Sequence, residues 1–242
     1  MVVGGSSIDY TVRVSPRARR VRLLVNPREG LVVVVPRGFD QREVPAILRR
    51  HALWVERAIA GSAERREHLA AHEDGPLPTS VKLPGIGLRW EVVLRPGAGT
   101  GVRGRVAGET LVLSGETGDH AACYGALRRA VARAARERLP LMLGGVEVET
   151  GWSATSVGIR RQRTRWGSCT SKGAVSLNES LVFLPPDLVR YVLVHELAHT
   201  KRMDHSPAFW KFVEAHDAGW RASRKALREA WRHVPGWADP AA

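Results

Sequence analysis

Residues 188–205 read LVRYVLVHELAHTKRMDH and contain the sequence H-E-x-x-H at positions 195 to 199. The apolar residues around this motif recur at helical spacing, which predicts a buried helix. Residues four apart share one face of a helix, so His195 and His199 can bind the same metal ion. Glu196 follows the first histidine directly, where it can accept a proton from a metal-bound water. The stretch therefore predicts a metal-dependent hydrolytic site on a helix.

Two residues beyond the motif are candidates for the third metal ligand. His205 lies six residues after the second histidine, the offset found in H-E-x-x-H-x-x-G-x-x-H proteins, and it is the favoured candidate. Glu214 is the alternative, or it could hold a ligand imidazole by a hydrogen bond. Arg202 stands where that pattern has Gly, so a different turn must connect the ligands. Cys169 could be a further soft ligand, but three histidines and a water already complete a catalytic zinc, so we expect it to be a packing residue.

The composition and charge restrict the class of protein. The chain has 242 residues, of which 44% are hydrophobic and 25% charged, as in soluble globular proteins. Residues 1–10 lack a basic segment and a long apolar stretch, so no signal peptide is expected, and the apolar run at residues 31–35 is too short to span a membrane. The two cysteines, Cys123 and Cys169, form no C-x-x-C, and a cytoplasmic location is expected. A net charge of +13 favours a polyanionic partner such as nucleic acid, although arginines spread over solvated faces would give the same total.

The predicted secondary structure indicates an α+β protein with two lobes. Strands are predicted at residues 9–14, 21–26, 31–35, 88–94, 102–106, 110–113, 152–163 and 173–178. Helices are predicted at residues 40–60, 120–139, from 186 through the metal motif, 208–215 and 220–231, with a linker at 61–79. We expect an N-terminal β-rich lobe with one helix over residues 1–115. A C-terminal lobe over residues 116–242 would pack the metal helix on a small sheet.

A candidate substrate groove precedes the metal helix. Arg161, Arg163 and Arg165 alternate along a predicted strand, so their side chains would point the same way. Together with Trp166 they could form a basic, aromatic-edged lip suited to phosphates or acidic chains, and Asn178 ends the next predicted strand. The alternative is a solvated strand face beside a packed tryptophan.

Several of these segments together resemble a known family. The segments are R-W-G-S-C at residues 165–169, the strand ending in Leu177-Asn178, the metal helix, His205-Ser206 followed by Phe209-Trp210, S-P-R-A-R-R at residues 15–20, and Trp54. They look like the YgjP-like metal-dependent hydrolases, a zincin-type metallopeptidase group, and SprT-type proteases are similar at the metal helix. The resemblance implies a zincin-like lobe, one zinc ion per chain held by His195, His199 and His205, and Glu196 as catalytic base.

Three functions remain compatible with the sequence. A zinc metallopeptidase is favoured, and a nucleotide or phosphoanhydride hydrolase could use the same zinc-bound water. A nucleic-acid-associated protein with a structural metal is the third possibility, but a structural site needs no base such as Glu196. Against the second, the chain has no Gly-rich phosphate loop of the P-loop type. The sequence leaves open whether the substrate is a peptide or a nucleotide, and also the oligomeric state.

Overall fold

The computed structural model describes residues 2–3, 6–26, 29–73 and 76–239. Helices and sheets occupy separate segments, with predominantly antiparallel pairing, which confirms the predicted α+β class. Contacts divide the chain between Glu73 and Asp74 into two units. Among the described residues, none of the helices has the length and apolar character needed to cross a bilayer.

The N-terminal unit is a small sheet with two helices. Its elements are β1 (Val2–Val3), β2 (Ser6–Ser7), β3 (Tyr10–Ser15), β4 (Arg22–Asn26), β5 (Gly30–Pro36), α1 (Val44–Arg50) and α2 (Ala52–Glu73). β1 pairs with β2, and the other strands form a sheet in the order β3-β5-β4. The central strand β5 is buried from Leu31 to Val35, as its continuous apolar run predicts. Its side chains pack against Val44, Leu48 and Val55 of the helices.

The helix α2 is longer than the sequence suggested. The predicted linker at residues 61–79 is wrong for its first part, because α2 continues through Gly61 to Glu73. Residues 74–75 of that predicted linker lie outside the described residues. One helical glycine costs about 1 kcal/mol, and the Ala, Glu, Arg and Leu residues that follow favour a helix enough to continue it.

The C-terminal unit contains two sheets around a long helix. Its elements are β6 (Ser80–Leu83), β7 (Leu88–Pro96), β8 (Val102–Ala107), β9 (Thr110–Gly115), α3 (His120–Thr150), β10 (Ser156–Arg160), β11 (Gly167–Cys169), β12 (Ala174–Asn178), α4 (Pro186–Ala198), α5 (Pro207–His216) and α6 (Trp220–Ala226). The four-stranded sheet has the order β6-β7-β9-β8, and the three-stranded sheet has the order β10-β12-β11. Val175 and Leu177 of β12 share a core with Val189 and Leu193 of α4, so the metal helix packs on a small sheet. A separate 3₁₀ turn at Ala230–His233 follows α6, which ends earlier than the predicted residue 231.

The four-stranded sheet belongs to the same unit as the metal helix. A Cβ added at Gly85, in the turn before β7, would lie 2.5 Å from the carbonyl oxygen of Leu181 and 2.8 Å from the Val189 side chain of α4. Leu111 of β9 and Leu127 of α3 are fully buried in the shared core. Because of this packing, residues 80–115 join the C-terminal unit, and the division of the chain differs from the predicted one at residue 115.

The helix α3 also exceeds its predicted length. The carboxylate of Asp119 caps its first turn, and Gly151 ends it with a φ of +69°, a left-handed conformation that glycine adopts without strain. The sequence predicted an end before Pro140, which lacks a backbone N–H. The helix continues past it because Leu143 and Val146 are buried in the core, and this packing outweighs the local preference.

Candidate metal centre

Three histidines meet at the end of α4. His195 lies in the last turn, His199 is the C-cap residue, and His205 lies just before α5. One ring nitrogen from each lies within 4.8 Å of the other two. The structure therefore brings together the three residues predicted as ligands, and their role in metal binding stays a prediction.

The nitrogen geometry fits a tetrahedral metal such as zinc. The Nε2 atoms of His195 and His205 are 3.2 Å apart. Two nitrogens bound to one zinc at its usual bond length are about 3.3–3.4 Å apart at a tetrahedral angle. Nδ1 of His199 lies 3.0 Å from the carbonyl oxygen of Arg202, which can only accept, so Nδ1 carries the proton and Nε2 is free to bind a metal.

The surroundings favour the neutral form of His195 and His205, the form that binds a metal ion. Burial lowers the pKa of His195 to about 3, and the neighbouring His199 and His205 add to this effect. Burial also lowers the pKa of His205. The ring of the fully buried Phe209 lies 4.6 to 5.0 Å from all three imidazoles and forms the apolar wall behind them. Neutral rings held in an apolar setting offer their lone pairs at neutral pH.

The turn between the second and third histidines needs no glycine. After α4 the backbone N–H of Arg202 still donates to the carbonyl oxygen of Ala198 at 3.0 Å, and the chain then bends towards α5. No non-glycine residue in the described ranges has a positive φ, so Lys201 and Arg202 make this turn without strain. Glu214, the alternative ligand, instead pairs with Arg221 at 2.5 Å on the exposed side of α5 and is not part of the histidine group.

Glu196 lies in a buried position beside the histidines. Its side chain is buried, with only 6% of the residue exposed, and burial raises its pKa to about 7, while the nearby Arg165 acts in the opposite direction. A Cβ added at Gly167 of β11 would lie 2.6 Å from Oε1 of Glu196 and 2.7 Å from its Cγ. Only a glycine at this position lets the strand pass so close to the carboxyl group. The glycine of the W-G-S-C segment is therefore required by its close approach to Glu196, which the spacing of residues in the sequence could not show.

The strand β11 lies at the edge of its sheet. Trp166 O accepts from Asn178 N and Thr170 N donates to Ala174 O, so alternate residues of this segment face β12. The N–H and C=O groups of Gly167 and Cys169 point the other way, and among the described residues they have no backbone partner. An open strand edge therefore runs beside Glu196 and the histidines.

An apolar cavity of about 160 Å³ adjoins the same centre. Its lining includes His195, Glu196 and Gly167, and its apolar walls come from Trp166, Tyr191, Val192 and Leu227. Burial raises the pKa of Tyr191 to about 12, so its hydroxyl stays protonated and remains a hydrogen-bond donor. The cavity has the size of a side chain, and it opens next to the candidate base.

The three groove arginines do not share a strand face. β10 covers only Ser156–Arg160, so the strand predicted at residues 152–163 is wrong at both ends. At its C-terminal end the reason is Asn178, whose amide donates to the carbonyl oxygens of Gln162 and Arg165 at 2.8 Å each and so holds residues 161–166 as a loop. Arg161 donates to the carbonyl oxygen of Asp239 at 3.2 Å.

These candidates therefore have different positions relative to the centre. Asn178 is buried behind the loop, and its own carbonyl oxygen accepts from Ser180 N at 3.0 Å, so it supports the groove without lining it. Arg163 is exposed. Arg165 is near enough to Glu196 to lower its pKa. Of the predicted groove residues, Trp166 lines the cavity and Arg165 brings charge to it.

A stacked aromatic and cationic group supports the third histidine. The indole N–H of Trp210 donates to the carbonyl oxygen of His205 at 3.0 Å, and Trp210 stacks on Trp220 with ring centroids 4.2 Å apart. The guanidinium of Arg224 lies 4.6 Å from the Trp210 ring centre and lowers the pKa of both His195 and His205. No motif marks Arg224 in the sequence, because α6 brings it to the site only through the fold.

Both cysteines lie apart from the histidine group. Cys123 is fully buried on α3, and Cys169 is half-buried with its thiol 3.4 Å from the carbonyl oxygen of Thr170. Burial raises the pKa of the Cys169 thiol, and Glu196 adds to this, so the thiol is a poor ligand or nucleophile.

Comparison with known families identifies the family of the chain. The family described as YgjP-like, metallopeptidase domain, matches residues 19–230. The chain belongs to this family, and the predicted membership is confirmed. Searches among curated proteins and among solved structures gave no match. Membership supports a metal-dependent hydrolase, in agreement with the three histidines that lie together.

Proposed function

We propose that the chain is a zinc-dependent peptidase in which Glu196 is the general base. One observation carries the proposal: the three histidine nitrogens converge beside a buried carboxyl group at an open strand edge. Zinc fits because the three donors are imidazole nitrogens, and those of His195 and His205 lie at tetrahedral spacing. We expect about one zinc per chain, held by His195, His199 and His205 with one position left for water.

Zinc in this position supplies Lewis acidity, which lowers the pKa of water to about 7 and polarises a carbonyl. Glu196 is positioned to take the proton of the attacking water on its carboxylate and to return it to the leaving amine. Its pKa near 7 suits both transfers at neutral pH. Gly167 holds this carboxyl group in place, because the backbone of β11 limits its movement on one side.

The open edge of β11 supports a peptide as substrate. An extended peptide can pair with the free N–H and C=O groups of Gly167 and Cys169, as in β-strand addition. The cavity between Trp166, Tyr191 and Leu227 then receives one apolar side chain next to the bond that is cleaved. Arg224 brings an unneutralised positive charge to the histidines, which favours the oxyanion of the transition state.

A phosphoanhydride hydrolase is the second candidate. Arg165 acts on Glu196 and Arg224 acts on His195 and His205, so two guanidinium groups act on the centre. Such charges suit a nucleoside triphosphate as well as an oxyanion. The open strand edge and the apolar cavity favour the peptide, because neither feature has a use in binding phosphates.

The test is a substrate screen of the full chain, with and without added zinc. A library of fluorogenic peptides and a set of nucleoside triphosphates are assayed with the wild-type protein, Glu196→Gln and the control Glu214→Gln. We expect peptide cleavage, a loss of roughly a hundredfold or more in Glu196→Gln with zinc content unchanged, and little effect of Glu214→Gln. Hydrolysis of the triphosphates alone would favour the second candidate. Near-wild-type turnover of Glu196→Gln would exclude Glu196 as the base.

A further inference from the structure

Two loops lie at the same end of the N-terminal sheet. β3 runs parallel to β5, with Ser15 opposite Pro36, so both strands finish at the same end of the sheet. β4 is antiparallel to β5, with Arg22 opposite Val34, so it begins at that end. The loop of residues 16–21 and the segment of residues 37–40 are therefore neighbours in space.

This end, which we call the arginine edge, carries five arginines. They are Arg17, Arg19, Arg20, Arg22 and Arg37. All five are exposed, and within the described ranges none of them makes an ion pair or a side-chain hydrogen bond. Arg13 of β3 lies opposite Val34 of β5, as Arg22 of β4 does, but it is bound to Glu29 at 3.0 Å. The five guanidinium groups thus keep their donors free for an outside partner.

The acidic residues near the arginine edge do not neutralise it. Asp40 ends the second segment, but its carboxylate accepts from the side chain of Arg42 at 3.1 Å and from the backbone N–H of Arg42 at 3.0 Å. These hydrogen bonds lower the pKa of Asp40, so its charge is already engaged. Glu43, three residues after Asp40, is the other acidic residue near this segment in the sequence. Five free arginines against one free carboxylate leave a local excess of positive charge.

We propose that the arginine edge binds the phosphate backbone of a nucleic acid. The outer strands of a three-stranded sheet lie about 10 Å apart, so the two loops can reach several phosphates of one chain together. Arginine forks bind phosphate oxygens by paired hydrogen bonds. A single small anion would occupy only one or two of these groups, whereas a polynucleotide occupies the set.

The side chains around the arginines determine the kind of recognition. Phe39 is the only aromatic residue in residues 16–22 and 37–40, and it packs against the core, so no ring is offered for base stacking. Residues 16–21 and 37–40 also expose no large apolar side chain that would enter a lipid surface. Binding is therefore independent of base sequence and depends on salt.

The number of phosphate contacts determines how steeply the binding affinity should fall with salt. Each phosphate contact contributes a slope of about −0.9 to log K against log salt for duplex DNA and about −0.7 for single strands. Five contacts give a slope of roughly −4, which weakens binding by a few hundredfold between about 50 and 200 mM salt. Removing three arginines should make the slope shallower by roughly 2 to 3.

The experiment measures binding alone, so it does not depend on the proposed peptidase activity. Fluorescein-labelled 20-nucleotide DNA, single-stranded and duplex, is titrated with the full chain while anisotropy is recorded at several salt concentrations. The test variant is Arg19→Gln with Arg20→Gln and Arg37→Gln. The control is Arg13→Gln with Arg89→Gln and Arg221→Gln, which removes the same charge from arginines that are each already bound to a carboxylate.

We expect the test variant to lose at least tenfold in affinity and the predicted part of the slope, and the control to stay near wild type. Replacing Arg19, Arg20 and Arg37 by lysine should keep most of the slope, and this second variant tests charge if the glutamine variant unfolds. Equal losses of affinity in the test and control variants would mean that binding depends only on net charge, and they would overturn the proposal. Wild-type protein that binds no DNA would also overturn it, as would phosphatidylserine vesicles that bind more tightly than DNA through the same arginines.

Discussion

Gly167→Ala is the substitution for which the structure makes the sharpest prediction. The added Cβ would lie 2.6 Å from Oε1 of Glu196, 2.7 Å from its Cγ and 2.8 Å from its Cδ. Ordinary contact begins near 3.4 Å, so the carboxyl group must withdraw by about 0.8 Å. The side chain cannot yield deeper into the protein without disturbing packed residues, because it is already buried.

The displacement determines the expected loss of activity. A misplacement of about 1 Å in a catalytic group can lower the rate by about a hundredfold. We therefore expect Gly167→Ala to lower kcat/KM by roughly that factor on the best peptide of the library. Zinc binding should be retained, because the three atoms nearest to the new methyl group all belong to Glu196.

The control for this substitution is Gly158→Ala in β10 of the same sheet. A Cβ there would meet only the end of the Arg160 side chain, at 3.8 Å, so the same chemical change has no consequence for Glu196. Peptide turnover, zinc content by elemental analysis and thermal unfolding are measured for both variants. In a Glu196→Gln background, Gly167→Ala should lower the rate far less, because the base is already absent. A Gly167→Ala enzyme as active as the Gly158→Ala enzyme would refute the reasoning.

Three further predictions concern the residues that hold the centre together. His205→Ala should weaken zinc binding far more than Glu214→Ala in a chelator competition, because the imidazole lies near His195 and His199 and the carboxylate is paired with Arg221; the opposite order would make Glu214 the ligand. Trp210→Phe keeps the ring but removes the hydrogen bond to the backbone of His205, so zinc affinity should fall about 10-fold, with exposed Trp54→Phe as control. Asn178→Ala removes three hydrogen bonds of a buried side chain and should lower the free energy of unfolding in urea by roughly 2–4 kcal/mol; a loss under 1 kcal/mol would mean that the loop is stable without them.

The sequence predicted the parts of the site that depend on neighbours along the chain. His195 and His199 lie together because a helix repeats every 3.6 residues, and any buried helix over these positions gives the same pair. The alternation of Arg161, Arg163 and Arg165 was not sufficient to predict a strand. A strand needs a partner for its backbone, and here a side chain, Asn178, takes those carbonyl groups instead.

Contacts between distant segments explain the remaining differences. Gly167 looks like an ordinary turn residue until Glu196 is placed against it. Arg224 carries no motif, and its position depends on how α6 packs. Likewise, the continuation of α3 past Pro140 depends on core packing that no local pattern contains.

All three histidines and Glu196 lie within eleven consecutive residues, from His195 to His205. A metal bound by them would close only the short loop between α4 and α5, and short loops close at a small entropic cost. Such an ion would stabilise only this local turn. Its loss would loosen the turn after α4, while the sheets would remain folded. Amide hydrogen exchange on chelation should therefore rise in residues 199–206 and stay low in β7 and β9.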